Sequence, residues 1–214
     1  MDHNRIYEYR FRGVNKSQKI DTWRIISAFI YRKLNRPKLI LDPAACDCEF
    51  INTVQAEEKW AVDMNESVKS KADNNIKVIV GNNLEVELPS NYFDGVFISN
   101  FLEHLASKEE VVLFLKRMHD SLKTGGYIAV MGPNFKYCYK NYFDFADHEV
   151  ILTETGLAEH LYGAGFEIEK VYPQFLPLSF RGKLPVADIL VKIYLAFPIF
   201  WKIFGKQFLV IARK

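Results

Sequence analysis

Three cysteines in 214 residues are too few for a disulfide framework. The chain also lacks an excess of charge of either sign. Its 28 Lys and Arg stand against 26 Asp and Glu, a formal +2, which excludes a binder held mainly by neutralising phosphates. No long charge-free apolar run is present. The longest candidate, Leu184 to Phe204, contains Asp188, Lys192, Lys202 and two prolines, whereas a spanning helix needs about 20 predominantly apolar residues. The opening stretch MDHNRIYEYRFRG has no apolar core of a secretory signal. The expectation is therefore a reduced, cytoplasmic chain with no nucleic-acid partner. What the sequence does have is 49% hydrophobic residues, including the 14% of the chain that is aromatic, enough to build a folded core. The length fits one domain.

Along the chain, strand and helix patterns alternate. Residues 1–16 read as a polar arm. Ser17 is a candidate cap for a helix carrying Ile20, Trp23, Ile26, Ile30, Tyr31 and Leu34 at helical spacing, ended by Pro37. Short apolar runs follow at Lys38–Leu41, Trp60–Asp63, Ile76–Val80, Phe93–Ser99 and Tyr127–Met131. Short helices are expected over 50–54 and 65–72. The clearest helix spans 108–122, with Val111, Val112, Leu115, Met118 and Leu122 on one face and Gly125-Gly126 as its stop. Another covers 153–161, and two late strands lie at 166–171 and 207–212. This order predicts an α/β fold with a largely parallel sheet. The expected division is a single domain: arm and helix over 1–36, core over 37–172, helical insertion over 173–205 and last strand over 206–214.

Two of these strands end on acids, Asp42 and Asp63, which are 21 residues apart. In a doubly wound sheet ligands sit at the carboxyl ends of the strands, and an acid ~20 residues on meets a ribose diol. An acid after a strand can equally be a plain turn residue. The connecting loop, Asp42-Pro43-Ala44-Ala45-Cys46-Asp47-Cys48-Glu49, has no glycine. Ala44, Cys46 and Cys48 are small enough for close approach of a ligand, but a left-handed backbone is costly for them. Cys46 and Cys48 have no second Cys/His pair at zinc spacing, so no metal is expected there.

An ordered set of motifs over roughly residues 38–172 resembles the class I S-adenosylmethionine-dependent methyltransferases, and within them the type 11-like group. LILDPAACDCEF stands at the first-strand motif with a degenerate glycine-rich loop. WAVDMN, VIVGNNLEVELP, FDGVFISNFLEHL and LKTGGYIAVMGPN follow at the second to fifth strands. The resemblance implies a Rossmann-like, mostly parallel seven-stranded sheet with a C-terminal antiparallel hairpin and helices on both faces. It implies S-adenosylmethionine as cofactor. By position, Asp42, Ala44 and Cys46 would face its methionine part and Asp63 its ribose hydroxyls. Met64, Asn82 and Leu84 would border the adenine, with Asn82 standing where an acid is usual. Asn100 and His104 would lie near cofactor or acceptor.

After the fifth strand comes PNFKYCYKNYFDFADHEV, where aromatics are interleaved with Asp144, Asp147 and His148. Tyrosines beside carboxylates suit a sugar or another polyol, so Tyr139, Tyr142 and Asp144 are expected at the acceptor. His148 is the candidate base, oriented by Asp147 or Asp144, with His104 second. A packed loop with a solvated acidic edge is the plain alternative, and a metal on Asp144, Asp147 and His148 has too few ligands to be expected. In the insertion, Pro185 opens one helical run and Pro198 a second. Val186, Ile189, Leu190, Ile193 and Phe197 share a face. Three readings stand for it: a lid over the acceptor, a homodimer contact, or an interfacial helix at the inner face of a membrane through 184–206. Residues 175–214 hold seven Lys and Arg and one Asp, a formal +6 that leaves −4 for the rest. The insertion also resembles those of methyltransferases grouped with surface-polysaccharide enzymes, which implies a small-molecule or lipid- or nucleotide-linked sugar acceptor. Two rival readings are a catalytically weak or inactive relative that binds a partner, and a nicotinamide-dependent oxidoreductase on a similar fold.

Overall fold

The computed structural model describes residues 3–13, 16–178 and 187–214. Seven strands form one sheet in the order β3-β2-β1-β4-β5-β7-β6. These are β1 (Leu39–Asp42), β2 (Glu58–Asp63), β3 (Ile76–Val80), β4 (Phe93–Ser99), β5 (Leu122–Pro133), β6 (Glu167–Tyr172) and β7 (Gln207–Arg213). β1 pairs in parallel with β2 and β4, and β7 runs antiparallel between β5 and β6. The order reverses between β1 and β4, which opens a crevice at their carboxyl ends.

Period-two alternation splits the core in two. On one face Leu41, Val96, Ile98, Ile128, Val130, Phe208 and Val210 pack under α5 (Lys108–Ser121) and α7 (Glu154–Gly163). On the other, Ile40, Phe97, Ala129, Met131, Leu209 and Ile211 meet α2 (Lys16–Lys33), α3 (Glu49–Thr53) and the insertion helices α8 (Asp188–Ala196) and α9 (Pro198–Phe204). Ser107 caps α5 by accepting from the Glu110 N–H, and Thr153 caps α7 by accepting from the Gly156 N–H.

Several boundaries differ from expectation. The arm is a helix, α1 (His3–Phe11). α2 begins at Lys16, so Ser17 lies inside it, and Ile20 is exposed, unlike Ile26, Ile30 and Leu34. The Gly125-Gly126 pair does not stop α5, which ends at Ser121. It sits on β5, where pairing jumps from Phe93↔Leu122 to Gly95↔Tyr127. Gly125, at φ 81, supplies the left-handed turn of that bulge. Pro185 and Val186 lie outside the described residues, whereas Pro198 opens α9 as expected.

The insertion is tied down through Val191, Leu195 and Trp201. The Phe29 ring stacks on Phe175 at 5.3 Å and meets Trp201 edge-on. Trp201 Nε1 donates to the Tyr194 carbonyl at 2.7 Å, and Tyr194 Oη donates to the Phe175 carbonyl at 2.6 Å. The expected shared face of Ile189, Leu190, Ile193 and Phe197 is present, but it points to solvent and continues through Ile199, Ile203 and Phe204.

Candidate active site

Asp42 and Asp63 are the last residues of neighbouring strands, and the loop between them folds back over the end of β2. The Ala45 N–H donates to the Val62 carbonyl at 3.0 Å, and the Cys46 N–H to Asp63 Oδ2 at 2.8 Å. Asp63 Oδ1 accepts from the Asn65 N–H at 2.8 Å. Each oxygen of Asp63 thus holds one backbone donor and keeps a further acceptor position. Cys46 and Cys48 have φ of 48° and 60°. They occupy left-handed conformations that normally call for glycine, at a cost of about 1–2 kcal/mol each. Ion pairs help to hold the turn: Lys71 to Asp47 at 2.8 Å, and Lys19 to both Asp47 and Glu49.

Asp42 is buried, and its Oδ1 accepts from the Ala44 N–H at 3.3 Å. Burial pushes its carboxyl up to about 8, with Asp63 and Glu49 adding like charge and the Ala44 N–H opposing. A buried carboxylate in this position gains most from a cation placed beside it. That suits the ammonium and sulfonium of S-adenosylmethionine. Burial likewise pushes the Cys46 and Cys48 thiols up to about 12, which opposes thiolate–metal chemistry.

On the far side, Met64 is 68% exposed and offers a free apolar surface. Asn82 Oδ1 accepts from the Leu84 N–H at 3.0 Å, and its Nδ2 donates to Glu85 Oε1 at 2.9 Å, while Leu84 packs against the core. Asn100 follows β4 with φ 49°, its N–H bonded to the Met131 carbonyl at 2.9 Å. The expected cofactor residues therefore line the strand ends in one arc, from Asn82 through Asp63 and Asp42 to Asn100.

A second group lies beyond Asn100. Glu103 and His104 belong to a short 3₁₀ turn, and the loop after β5 brings in Asp147 and His148. His104 Nδ1 is 2.8 Å from the Asp147 carbonyl and 3.5 Å from Asp147 Oδ2. The two imidazole rings meet at 5.1 Å. Burial pushes His148 down to about 4, with the charge of His104 acting in the same sense. Burial raises the Glu103 carboxyl. Asp147 stays below the usual carboxylate range despite its burial, because Arg10 bonds it and His104 adds its charge. Asp147 therefore serves Arg10 and His104, and the expectation that it or Asp144 orients His148 is not met. Instead the Phe145 ring stacks on His148 at 4.8 Å.

Of the expected acceptor residues, Tyr139 is 57% exposed. Tyr142 is wholly buried and gives its hydroxyl to the Val150 carbonyl. Its role is to pack the loop, and it has no surface to offer an acceptor. Asp144 lines a cleft of about 370 Å³ with Asn141, Phe145, Pro177, Leu178, Phe204 and Lys206. Phe145 both lines this cleft and stacks on His148.

Sequence reading missed α1. Its Arg10 guanidinium lies 5.1 Å from the Phe145 ring as well as pairing with Asp147. Burial raises the Tyr7 hydroxyl, with smaller contributions from Cys46 and Asp147. One helix thus reaches both the loop after β1, through Tyr7, and the histidine group, through Arg10. The arm's polar composition concealed this, since it packs over a polar site and has no apolar stripe. Glu103 was missed although it stands beside His104 in FDGVFISNFLEHL.

Residues 41–130 match a family described as a methyltransferase domain. No curated protein matches the chain. The fold is that of solved S-adenosylmethionine-dependent methyltransferases. One from Archaeoglobus fulgidus superposes with a TM-score of 0.69 at 22% identity over 100% of both chains. One from Thermotoga maritima does so at 0.62 and 17%, covering 98% of each. A third, from Mesorhizobium loti, gives 0.57 and 18% over 82% of this chain and 90% of its own. The antiparallel β7 between β5 and β6 departs from the 3-2-1-4-5-6 order of dinucleotide-binding sheets.

Proposed function

We propose that this chain is a class I S-adenosylmethionine-dependent methyltransferase that methylates a hydroxyl of a sugar or other polyol, carried on a lipid or a nucleotide. The observation that carries the reading is the cleft beside His148. Asn141, Asp144 and Lys206 offer polar contacts there, and Phe145, Pro177, Leu178 and Phe204 offer apolar walls. Ring faces of a sugar stack on such walls while its hydroxyls bond the polar groups.

S-adenosylmethionine supplies a methyl group activated by its sulfonium. The chain contributes alignment, an effect worth roughly 7–11 kcal/mol in well-oriented systems. Asp63 and the loop hold the donor end, the cleft holds the acceptor, and α1 covers the junction and excludes water. Activation of the acceptor hydroxyl falls to the group around His104 and His148.

The reading extends to a membrane surface. Ile189, Leu190, Phe197, Ile199, Ile203 and Phe204 are each more than half exposed, and exposed Lys192 and Lys202 lie on the same two helices. None of the described helices is long and apolar enough to cross a membrane. Apolar side chains edged by lysines suit the surface of an anionic bilayer, where a lipid-linked acceptor would be delivered beside Phe204.

The test is methyl transfer from radiolabelled S-adenosylmethionine to a panel of nucleotide sugars, lipid-linked oligosaccharides and small amines. Alkali-stable label on a sugar hydroxyl is the expected result. Label on amines alone overturns the glycan reading.

A further inference from the structure

We propose that Glu103, His104 and His148 form a binding site for one first-row divalent cation. The inference rests on the reading of this group as the centre that activates the acceptor, and it specifies how.

One ligand atom from each of the three residues lies within 4.8 Å of the other two. Around an ion bound at about 2.1 Å, such atoms stand roughly 3–3.5 Å apart, so small side-chain rotations close the site. The hydrogen bonding fixes which atoms are free. The Asp147 carbonyl can only accept, so the contact at 2.8 Å puts the proton of His104 on Nδ1. In the neutral ring Nε2 then carries a lone pair, and it lies 3.9 Å from Glu103 Oε1. His148 is 8% exposed, and its Nδ1 is buried without a hydrogen-bond partner. Its ring is held instead between the stacked Phe145 ring at 4.8 Å and the Tyr142 ring at 4.6 Å. His104 thus gives one nitrogen to a backbone carbonyl and keeps the other open, which is how protein ligands of metals are oriented. Two imidazole nitrogens and a buried carboxyl group thus converge.

Charge supports the same conclusion. The Arg10 guanidinium pairs with Asp147, so those two charges offset each other. Among the described residues Glu103 is paired with no Lys or Arg, and it is itself 2% exposed. Two nitrogens and one carboxylate suit Zn²⁺, Co²⁺, Fe²⁺ or Mn²⁺, and the open coordination positions suit a hydroxyl-bearing acceptor. An ion there lowers the pKa of an acceptor hydroxyl and takes over the work otherwise left to His148 as base.

The test is titration of the chelator-treated full chain with CoCl₂, followed by visible absorption and calorimetry. One ion per chain with the visible bands of nitrogen and oxygen ligation is expected. Glu103→Gln and His148→Gln should each weaken it at least tenfold, by analogy with the loss seen on perturbing even outer-shell ligands. Affinity for S-adenosylmethionine, measured on the same samples, should stay within about twofold and so reports that each variant is folded. Binding of less than half an ion per chain at about 100 μM overturns the proposal. Thiolate charge-transfer bands, which would place the ion on cysteine, also overturn it. So does equal binding by both variants. Chelated enzyme that transfers methyl groups at full rate removes the metal and leaves the methyltransferase reading standing, whereas loss of S-adenosylmethionine binding in the wild type counts against the latter alone.

Discussion

Asp63 Oδ2 accepts the Cys46 N–H at 2.8 Å, so the carboxylate expected to hold the cofactor's ribose also holds the loop expected to face its methionine part. The two ends of the expected donor site are coupled through one side chain.

Asp63→Ala should therefore cost more than a ribose contact. A charge-assisted hydrogen bond is worth about 2 kcal/mol, so affinity for S-adenosylmethionine should fall at least 30-fold. The melting temperature of the unliganded protein should fall as well. Calorimetric titration and a thermal melt check both. An affinity within about twofold of wild type would place the ribose elsewhere.

Asp42 predicts a pH dependence. Its carboxyl stands near 8 in the folded chain against 3.8 for an unhindered aspartate. A raised carboxyl favours the fold while protonated. Its contribution is full below about pH 4 and is lost as the pH climbs to about 8. A cationic ligand prefers the ionised form, so affinity for S-adenosylmethionine should rise by up to about tenfold per pH unit between pH 6 and 8. Asp42→Asn should flatten both profiles. A wild-type affinity independent of pH over that range would show that no cation is bound beside Asp42.

His148→Ala should lower turnover by roughly 10²-fold and leave cofactor affinity unchanged. Single-turnover transfer and equilibrium titration separate the two effects. Unchanged turnover would remove His148 from the chemistry, whether as base or as ligand.

The left-handed turn at Cys46 predicts an order of stabilities. Cys46→Gly should be more stable than Cys46→Ala by about 1 kcal/mol, because alanine keeps the Cβ that the conformation penalises. Urea denaturation measures the difference. Equal midpoints would mean that the turn relaxes at no cost.

Replacing Ile199 and Ile203 by Asp should reduce sedimentation with phosphatidylglycerol vesicles by at least tenfold, since each buried isoleucine contributes roughly 1.5–3 kcal/mol. Changing Lys192 and Lys202 to Glu should weaken binding to these vesicles but not to neutral ones. Light scattering tests the competing dimer. A concentration-dependent dimer abolished by the Asp variants, without vesicle binding, would assign the face to a second copy.

The strands were legible because each is a short apolar run closed by an acid, a glycine or a polar turn. Ile76–Val80 and Phe93–Ser99 match to the residue. The positions of Asp42 and Asp63 were legible for the same reason, as both stand at strand ends whose order the chain itself gives. The acceptor side was not. Tyr142 and Asp147 look like site residues in a string of aromatics and acids, and only three-dimensional packing turns Tyr142 inward and gives Asp147 to Arg10, 137 positions away. Helical periodicity also cannot say which side of an amphipathic helix faces solvent when both are apolar. In α8, buried Val191 and Leu195 alternate with exposed Ile189, Leu190 and Ile193.

β7 comes last among the strands in chain order yet lies between β5 and β6, and Lys214 after it donates to Asn91 and to the Leu122 carbonyl. On the ribosome, β5 therefore leaves the exit tunnel with an apolar edge that has no partner until the whole insertion has been made. α8 and α9 emerge sooner than the strand that seals the sheet. The same stripe of isoleucines and phenylalanines is then uncovered beside an open strand, which is the form of this chain most exposed to aggregation. Chaperone demand during synthesis should consequently track the length and apolarity of the insertion more than the stability of the finished fold.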